Sequence, residues 1–380
     1  ITLTDGELAG AGDDLTINAN ITSIGGSIAL NAGDNIAQST GTLIETQAAG
    51  ETITLTAASA DSGDGIGAVT QTGTAAIQTN NGDVTITGTD DITLNSVVAG
   101  SGTIVVTVAA GLIGAIVESG VDAGVDLSGA TIDLNGDTGI GTAGNALEIA
   151  ATTISADNTT SGVINLGNTS GADVLATSLT TITGDITFTQ AGGGSLTVTL
   201  ATTTTSGDIA ITNDGSLTVT TATAGGAGAG NGDITLTSTG TGNNVNVDSV
   251  TALGDTVTVT SGGAIEESGA DAAADIVAAT IDLNASTGVG TLATLEITGT
   301  TIYIDSSGSG ALDVDSLATG PVLVTSLTTG TAGGSIESGT ITFDQTGGFS
   351  LTVTTASTQQ GSIAISNDAV LTVTTVTAGV

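Results

Sequence analysis

The sequence predicts an all-β fold, a parallel β-helix (β-solenoid) with about 20–25 residues per coil. Short stretches place Ile, Val or Leu at every second position, which is the alternation of a strand with one buried face. Turns rich in Gly, Asn, Asp and Ser separate these stretches, and the 3.6-residue periodicity of helices is nearly absent. Nine strand positions follow one another at 19 to 25 residues, namely Ile186, Ile209, Ile234, Val257, Ile281, Ile302, Val322, Ile341 and Ile363.

Ten stretches carry the strand alternation most clearly. A second aliphatic series, which includes Leu196, Leu217, Val245 and Ile265, falls between the members of the first series and predicts two strands per coil. With about 4.8 Å between stacked strands, we expect about 17 coils in a rod about 80 Å long. The ten stretches are 53–56, 84–87, 92–95, 132–135, 186–189, 209–212, 234–237, 257–260, 281–284 and 341–344.

A longer repeat of about 150 residues lies over the coil rhythm, approximately at 81–230 and 231–380. "NGDVTIT" at 81–87 returns as "NGDITLT" at 231–237, and "ATIDLN" at 130–135 returns unchanged at 279–284. These repeats predict one continuous solenoid rod over 1–380. Because the chain starts inside a strand-like stretch, without Met, we expect it to be a segment of a longer array or a processed product.

The stretch "SGDIAITNDGSLTVTT" at 206–221 returns as "QGSIAISNDAVLTVTT" at 360–375. In the solenoid, Ile209, Ile211, Leu217 and Val219 are expected in the core, and 213–216 forms the corner between two strands. Read alone, "NDGS" is also a good hairpin turn, so tandem β-sandwich domains are the alternative fold. Sandwich domains usually bury a large aromatic residue, and this chain has no Trp.

Composition removes many classes of function. The 380 residues include no Lys, Arg, His or Cys, and the formal net charge is −38. No cation is present to neutralise phosphate, which argues against binding nucleic acid or an anionic membrane. No apolar run approaches the length of about 20 residues that spans a bilayer. The missing residue types also exclude the usual catalytic triads, Schiff bases and imidazole or thiolate metal sites.

Carboxylates remain as candidates for chemistry. Asp133 with Asp137, and Glu266 with Glu267, are candidate pairs for a polysaccharide-cleaving enzyme, whose groove would lie beside Tyr303 or a Phe. The alternative interpretation is that they are solvated turn residues, since Asp and Asn tolerate turn conformations. Glycan enzymes also use aromatic platforms, and this chain has three Phe and one Tyr. We therefore predict a protein that is not an enzyme, and we assign no catalytic or cofactor-binding residue.

Acidic turns offer the hard oxygen ligands that Ca²⁺ prefers. One segment, "GGAGAGNGDITL" at 225–236, partly matches the calcium-binding nonapeptide repeat, but without tandem copies. The alternative is diffuse screening of the negative charge by any cation, and we assign no metal-binding residue. The candidate calcium ligands are Asp13–Asp14, Asp61 with Asp64, Asp90–Asp91, Asp122 with Asp126, and Asp133 with Asp137.

Two further surface features have structural and functional interpretations. Thr-x-Thr rows on a solenoid can order water, so an ice-binding β-solenoid is an alternative function, although Thr is also the ordinary residue of an exposed strand face. Gly-Asp pairs precede several strands, where Gly permits positive φ at a corner and Asp can bond nearby amides. These pairs are Gly82–Asp83, Gly184–Asp185, Gly207–Asp208 and Gly232–Asp233.

Several phrases resemble the large secreted repeat proteins related to filamentous haemagglutinin. They include "ATIDLN…TGIGTAGNALEI", "GDITFTQAGGGSLTVT" (184–199), "GSIESGTITFDQTGGFSLTVTT" (334–355) and "SGDIAITNDGSLTVTT". The resemblance covers most of the chain from about residue 50 onward. It implies a right-handed parallel β-helix in a long extracellular, cell-surface or matrix protein, often an adhesin.

We therefore expect a non-catalytic structural or adhesive segment of an extracellular fibre. Its expected partners are further copies, joined end to end or side by side, and the surface or glycans of a host or neighbouring cell. Neither nucleic acid nor membrane insertion is expected. The acidic, Thr-rich wall would keep such rods soluble and apart.

Overall fold

The computed structural model describes residues 1–5, 12–58, 67–110, 113–226, 228, 230–308, 310–330 and 339–379. The fold is all-β, a parallel β-solenoid of about 15 turns with about 23 residues each. The predicted fold class is confirmed, with slightly fewer turns than the sequence spacing suggested. The alternative of tandem sandwiches is wrong. The two strands that flank the corner, Ile209–Asn213 and Leu217–Thr223, pair in parallel with Ile234–Ser238 and Val245–Ser261 and form no hairpin.

The chain divides into two compact units, one formed by 1–170 with 174–189 and the other by 171–173 with 190–380. Continuity of one rod and the long-repeat boundaries at 81–230 and 231–380 stay predictions. The strands of the first unit, the last of which ends one residue beyond it, are β1 Thr2–Thr4, β2 Leu15–Ile17, β3 Ile21–Ser23, β4 Ile28–Asn31, β5 Ile36–Gln38, β6 Leu43–Ala49, β7 Ile53–Thr56, β8 Val69–Gln71, β9 Ala76–Asn80, β10 Val84–Gly88, β11 Ile92–Leu94, β12 Val97–Val98, β13 Thr103–Val108, β14 Ile116–Glu118, β15 Leu127–Ser128, β16 Thr131–Gly136, β17 Leu147–Ala150, β18 Thr153–Asn158, β19 Ile164–Asn168, β20 Val174–Thr183 and β21 Ile186–Gln190.

The strands of the second unit are longer on average. They are β22 Leu196–Ser206, β23 Ile209–Asn213, β24 Leu217–Thr223, β25 Ile234–Ser238, β26 Val245–Ser261, β27 Ile265–Glu267, β28 Ile276–Ala285, β29 Leu295–Thr298, β30 Thr301–Ser306, β31 Leu312–Ser316, β32 Val322–Thr329, β33 Ile341–Gln345, β34 Leu351–Thr358, β35 Ile363–Asn367 and β36 Leu371–Ala378. All ten stretches predicted as strands lie on strands, with bounds that differ by a few residues except for 257–260, which is the end of the long strand β26.

In the first unit, the early turns contribute strands to three parallel ladders. One ladder runs through β1, β4, β7, β10, β13, β16, β18 and β20. A second runs from β3 to β19 through β6, β9, β12, β15 and β17. The third contains β2, β5, β8, β11 and β14, each only three residues long. Strands this short show little alternation, and only β11 was among the predicted stretches (92–95), which is why the sequence predicted two strands per coil.

In the second unit, single strands bend across more than one face of a turn. The start of β26 pairs with β24, whereas its end pairs with β25. The same strand then pairs with β28 over both parts, with a shift of register between Ala252 and Thr256. The longer strands therefore contain corners inside them.

The core consists of aliphatic columns that run from turn to turn in register. Ile28, Ile53, Val84, Ile104, Ile132 and Ile154 form one column, because each is the register partner of the next. All six are buried. Burying one such side chain stabilises the fold by about 1.5–3 kcal/mol, and β-branched residues fit this pleated surface well. Ile209, Ile211, Leu217 and Val219 are also buried, which confirms their predicted place in the core.

Residues 213–216 form the predicted corner, and a buried amide holds it. The Asn213 side chain is buried and its Nδ2 donates to the carbonyls of Ser216 at 2.8 Å and Gly194 at 3.2 Å. In the long-repeat copy, Asn367 Nδ2 donates to the carbonyl of Val370 at 2.9 Å. A side-chain amide thus replaces the backbone partners that the corner carbonyls lack.

The glycines of the Gly-Asp pairs are required for two different reasons. Gly207 has a φ of 138° and Gly184 a φ of 115°, which agrees with the expected left-handed geometry. At Gly232 the reason is contact, since a Cβ there would lie 2.2 Å from the carbonyl oxygen of Gly207. At Gly82 it would lie 2.0 Å from the carbonyl oxygen of Glu51, so the preceding turn excludes any side chain.

The aspartates of these pairs brace adjacent turns. Asp83 Oδ1 accepts from the backbone N–H of Thr103 at 2.8 Å, and Asp233 Oδ1 accepts from that of Thr256 at 2.8 Å. Asp208 Oδ1 likewise accepts from the N–H of Asp233 at 2.9 Å. The expected bond to an amide close in sequence is therefore replaced by a bond to the amide one turn further along.

Replacing a column residue should destabilise the solenoid far more than replacing its outward neighbour. We expect Ile211→Ala to lower the free energy of unfolding by about 2–4 kcal/mol, because the rigid column leaves a cavity. Thr212→Ala, on the outer face of the same strand, should cost less than about 1 kcal/mol. Denaturant unfolding followed by circular dichroism measures both variants. Equal losses in the two would contradict the assignment of the faces.

Candidate functional site

Three carboxylates of the first unit converge at the end of one turn. Glu118 ends β14, Asp126 directly precedes β15, and Glu148 lies on β17. One carboxylate oxygen of each residue lies within 4.8 Å of the other two. We call these three residues the first triad. Asp126 is only 4% exposed, so this acidic group is set into the wall.

The chain reaches the first triad through an outward loop. After Glu118, residues 120–125 are exposed, and the chain returns to the wall at Asp126. Glu118 Oε1 accepts from the N–H of Asp122 at 3.1 Å, which holds the base of the loop. The N–H of Asp126 then donates to the carbonyl of Glu148 at 2.8 Å, which joins the loop to the next turn.

An equivalent group, the second triad, lies in the second unit. It consists of Glu267, Asp275 and Glu296, again with one oxygen of each within 4.8 Å of the others. These residues follow the first triad by 149, 149 and 148 positions. Their exposed fractions are 8%, 3% and 8%, so all three side chains are more than nine-tenths buried.

The two triads share several backbone hydrogen bonds as well as their residue types. Asp126 Oδ2 accepts from the N–H of Glu148 at 3.1 Å, and Asp275 Oδ2 accepts from that of Glu296 at 2.9 Å. Glu267 Oε1 accepts from the N–H of Asp271 at 2.8 Å, as Glu118 does from Asp122. The long repeat therefore copies a three-dimensional group of acids, not only a strand pattern.

Burial and mutual repulsion both favour the protonated forms of these acids. Burial raises the pKa of Asp126 to about 8, and the Glu118 and Glu148 carboxylates add to the rise against a hydrogen bond from the backbone. Burial likewise raises the pKa of Asp275 to about 7, with Glu267 and Glu296 contributing. The pKa values of Glu148 and Glu296 are raised by the same causes. The sequence contains no Lys, Arg or His that could offset this charge.

The structure separates the carboxylate pairs that were candidates for catalysis. Glu266 accepts from the Thr291 hydroxyl and, at 3.1 Å, from the N–H of Leu292, while Glu267 belongs to the second triad. Asp133 lies on the outer wall, where Oδ1 accepts from Asn135 Nδ2 at 3.2 Å. Asp137 is buried and Oδ1 accepts from the hydroxyl of Thr159 at 2.7 Å. Each of these carboxylates has a structural partner of its own.

Most of the candidate calcium ligands also bind backbone groups. Asp14 Oδ1 accepts from the N–H of Asn35 at 3.2 Å, and Asp91 Oδ1 from that of Ala115 at 2.8 Å. Asp90 Oδ1 accepts from the N–H of Asp91 at 2.8 Å, while Asp13 donates its own N–H to Asp34 Oδ2 at 3.1 Å. The Asp61 and Asp64 pair lies outside the described residues.

Of the candidate calcium pairs within the described residues, only Asp122 with Asp126 lies at a triad, and of these two residues only Asp126 belongs to it. Asp126 belongs to the first triad, whereas Asp122 Oδ1 accepts from the N–H of Gly124 at 2.5 Å in the loop. Sequence reasoning missed Glu118, Glu148, Asp275 and Glu296, and it singled out Glu267 only as part of the candidate catalytic pair with Glu266. The available signal was the long repeat, in which "ESG", an Asp and "LEI" return together at matching positions.

The Thr rows end after a few turns. Thr54 and Thr56 are register partners of Thr85 and Thr87, but Val105 follows Thr85 in the next turn. In the second unit Thr235 and Thr237 stack on Thr258 and Thr260, and Asp282 and Asn284 follow. The wall therefore alternates short Thr patches with acids and amides instead of presenting one regular array.

Comparison with protein-family models, curated proteins and solved structures found no match for this chain. The parallel β-solenoid is compatible with a β-helix repeat protein. Over the part of the chain that the structure describes, no helix is both long and apolar enough to cross a membrane.

Neutralising one triad acid should stabilise the protein when a chelator removes divalent metal ions from the solution. In EDTA at pH 9, we expect Asp275→Asn to raise the free energy of unfolding by on the order of 1–3 kcal/mol, because it removes a buried charge and keeps the acceptor for the Glu296 N–H. The pKa of about 7 in the folded chain exceeds the usual value, so wild-type stability should fall as pH rises from about 4 through 7. The part of this loss of stability that comes from ionisation of Asp275 should be absent in Asp275→Asn.

The matched control is Asp282→Asn, which removes one charge from the outer wall of the same unit. Denaturant midpoints measured from pH 4 to pH 9 compare both variants with the wild type. Parallel pH profiles for the wild type and Asp275→Asn would contradict the electrostatic account of the triad.

Proposed function

We propose that the chain is a non-catalytic structural or adhesive segment of an extracellular or cell-surface fibre, as in the filamentous-haemagglutinin-like proteins that it resembles. The observation that carries the proposal is the in-register stacking of turns, in which most strands bury one face in the aliphatic columns and present the other outside. Most of the described residues lie in stacked strands or in the corners between them, so each further turn lengthens the solenoid. Stability then approximates a sum over neighbouring turns, which suits a long element under tension.

The charge of the chain supports the same function. A net charge of −38 without any cation keeps neighbouring copies apart and soluble. The absence of Lys and Arg also removes every cleavage site for trypsin-like proteases, which would help a fibre to persist outside the cell. End-to-end or lateral self-association and surface glycans are the proposed partners.

Electron microscopy of cells that produce the chain, labelled with an antibody to it, tests this proposal. We expect label on intact, unpermeabilised cells, on thin filaments whose axial repeat is about 4.8 Å in diffraction. Trypsin treatment of the intact cells should leave the labelled filaments in place, while chymotrypsin or proteinase K serves as the positive control for access.

Label that appears only after permeabilisation would overturn the extracellular assignment. Release of reducing ends from a panel of neutral and acidic polysaccharides, abolished by Glu266→Gln or Asp133→Asn, would overturn the non-catalytic assignment. Retention of chain-coated beads under flow on glycan-coated surfaces, against uncoated beads, separates an adhesive role from a purely structural one.

A further inference from the structure

The triad carboxylates are not needed for a fibre, since the aliphatic columns and the backbone ladders do not depend on these side chains. Each triad places three carboxylates together in a chain that has no basic side chain. Uncompensated buried carboxylates are costly, so a charged group of the opposite sign or a proton must accompany them.

Glu296 gives the clearest sign of a missing ligand. Its side chain is only 8% exposed and its carboxylate faces that of Asp275 within the second triad. Among the described residues, no donor reaches the buried Glu296 Oε2. In the first triad, Glu148 Oε2 is also buried without a described partner. Buried acceptors of this kind normally have a partner. The two oxygens occupy equivalent positions of the two triads, so we infer that the same ligand is missing at both.

We propose that each triad binds one divalent cation of the Ca²⁺ class, so that the part of the chain that the structure describes holds two ions. Ca²⁺ binds carboxylate oxygens at about 2.3–2.6 Å, which allows two oxygens on one ion to be as much as about 5 Å apart. The triad oxygens all lie within 4.8 Å of one another, which is inside that span. Mg²⁺ usually keeps several waters and binds only one or two carboxylates, so a group of three carboxylates favours the larger ion.

The position of each triad shows what the ion does. Glu118 and Asp126 lie on either side of the outward loop, and Glu148 belongs to the next turn. Glu267, Asp275 and Glu296 have the same arrangement around residues 268–274. A bound ion therefore fastens the base of each loop to the following turn, and it recurs once per long repeat. Because the ion binds the folded chain and not the unfolded one, it stabilises the fold by mass action.

Calcium binding to the purified, chelator-treated chain in 150 mM KCl tests the proposal, by isothermal titration calorimetry and equilibrium dialysis with radioactive calcium. We expect two saturable sites per chain with dissociation constants near 10⁻⁴–10⁻³ M, the range of extracellular calcium modules, and at least tenfold weaker binding of Mg²⁺. Asp126→Asn and Asp275→Asn should each remove one site, and the double variant both.

The matched control is the double variant Asp133→Asn with Asp282→Asn, which removes the same number of charges at equivalent positions of the outer wall. It should keep both sites. If an Asp variant fails to fold, Glu148→Gln and Glu296→Gln supply the same comparison, and circular dichroism checks the fold of each. Binding that 150 mM KCl abolishes, or a stoichiometry that falls equally in the triad and control variants, would show diffuse screening and overturn the proposal.

Discussion

The register of the parallel backbone ladders is the constraint on which the rest of the structure depends. In a strand the side chains alternate between two faces, so a slip of one residue would move every aliphatic residue of a turn to the outside. Ile53, Val84 and Ile104 stay in one column because their strands are aligned residue by residue. The same alignment places Asp83 beside the Thr103 amide, so core packing and turn-to-turn bracing reinforce one register.

The wall inherits its chemistry from that register. Polar residues at outward positions stack in rows, and because the chain has no cations, acids in these rows lie near other acids or near hydroxyl and amide donors. Asp157 accepts from Ser178 at 2.6 Å, and its long-repeat counterpart Asp305 accepts from Ser326 at 2.5 Å. Most acids are satisfied in this way within the wall. The triads differ, since three carboxylates converge in each and Oε2 of Glu148 and of Glu296 has no donor among the described residues, which is where the proposed cation binds.

Much of the fold could be predicted from the sequence, because alternation and spacing report directly on strand faces and coil length. Ile209, Ile211 and the corner at 213–216 lie where the pattern put them. Of the three-residue strands of the third ladder, only β11 was predicted, from the stretch 92–95, since three residues such as 36–38 hold too little alternation. The triads were missed for another reason. Glu118 and Glu148 are thirty residues apart in sequence and meet only because the coil returns to the same face, whereas the candidate pairs taken from the sequence were at most four residues apart.

The in-register parallel stack can be tested most directly by disulfide cross-linking, since the chain has no native cysteine. Thr212 and Thr237 are register partners on the outer face of adjacent turns, at a strand separation of about 5 Å that a disulfide can bridge. The account predicts that Thr212→Cys with Thr237→Cys oxidises to an intramolecular disulfide in most molecules, identified by mass spectrometry after cleavage at acidic residues. A disulfide formed by Thr212→Cys with Leu217→Cys, and none in the first pair, would indicate a hairpin at 213–216 and contradict the solenoid.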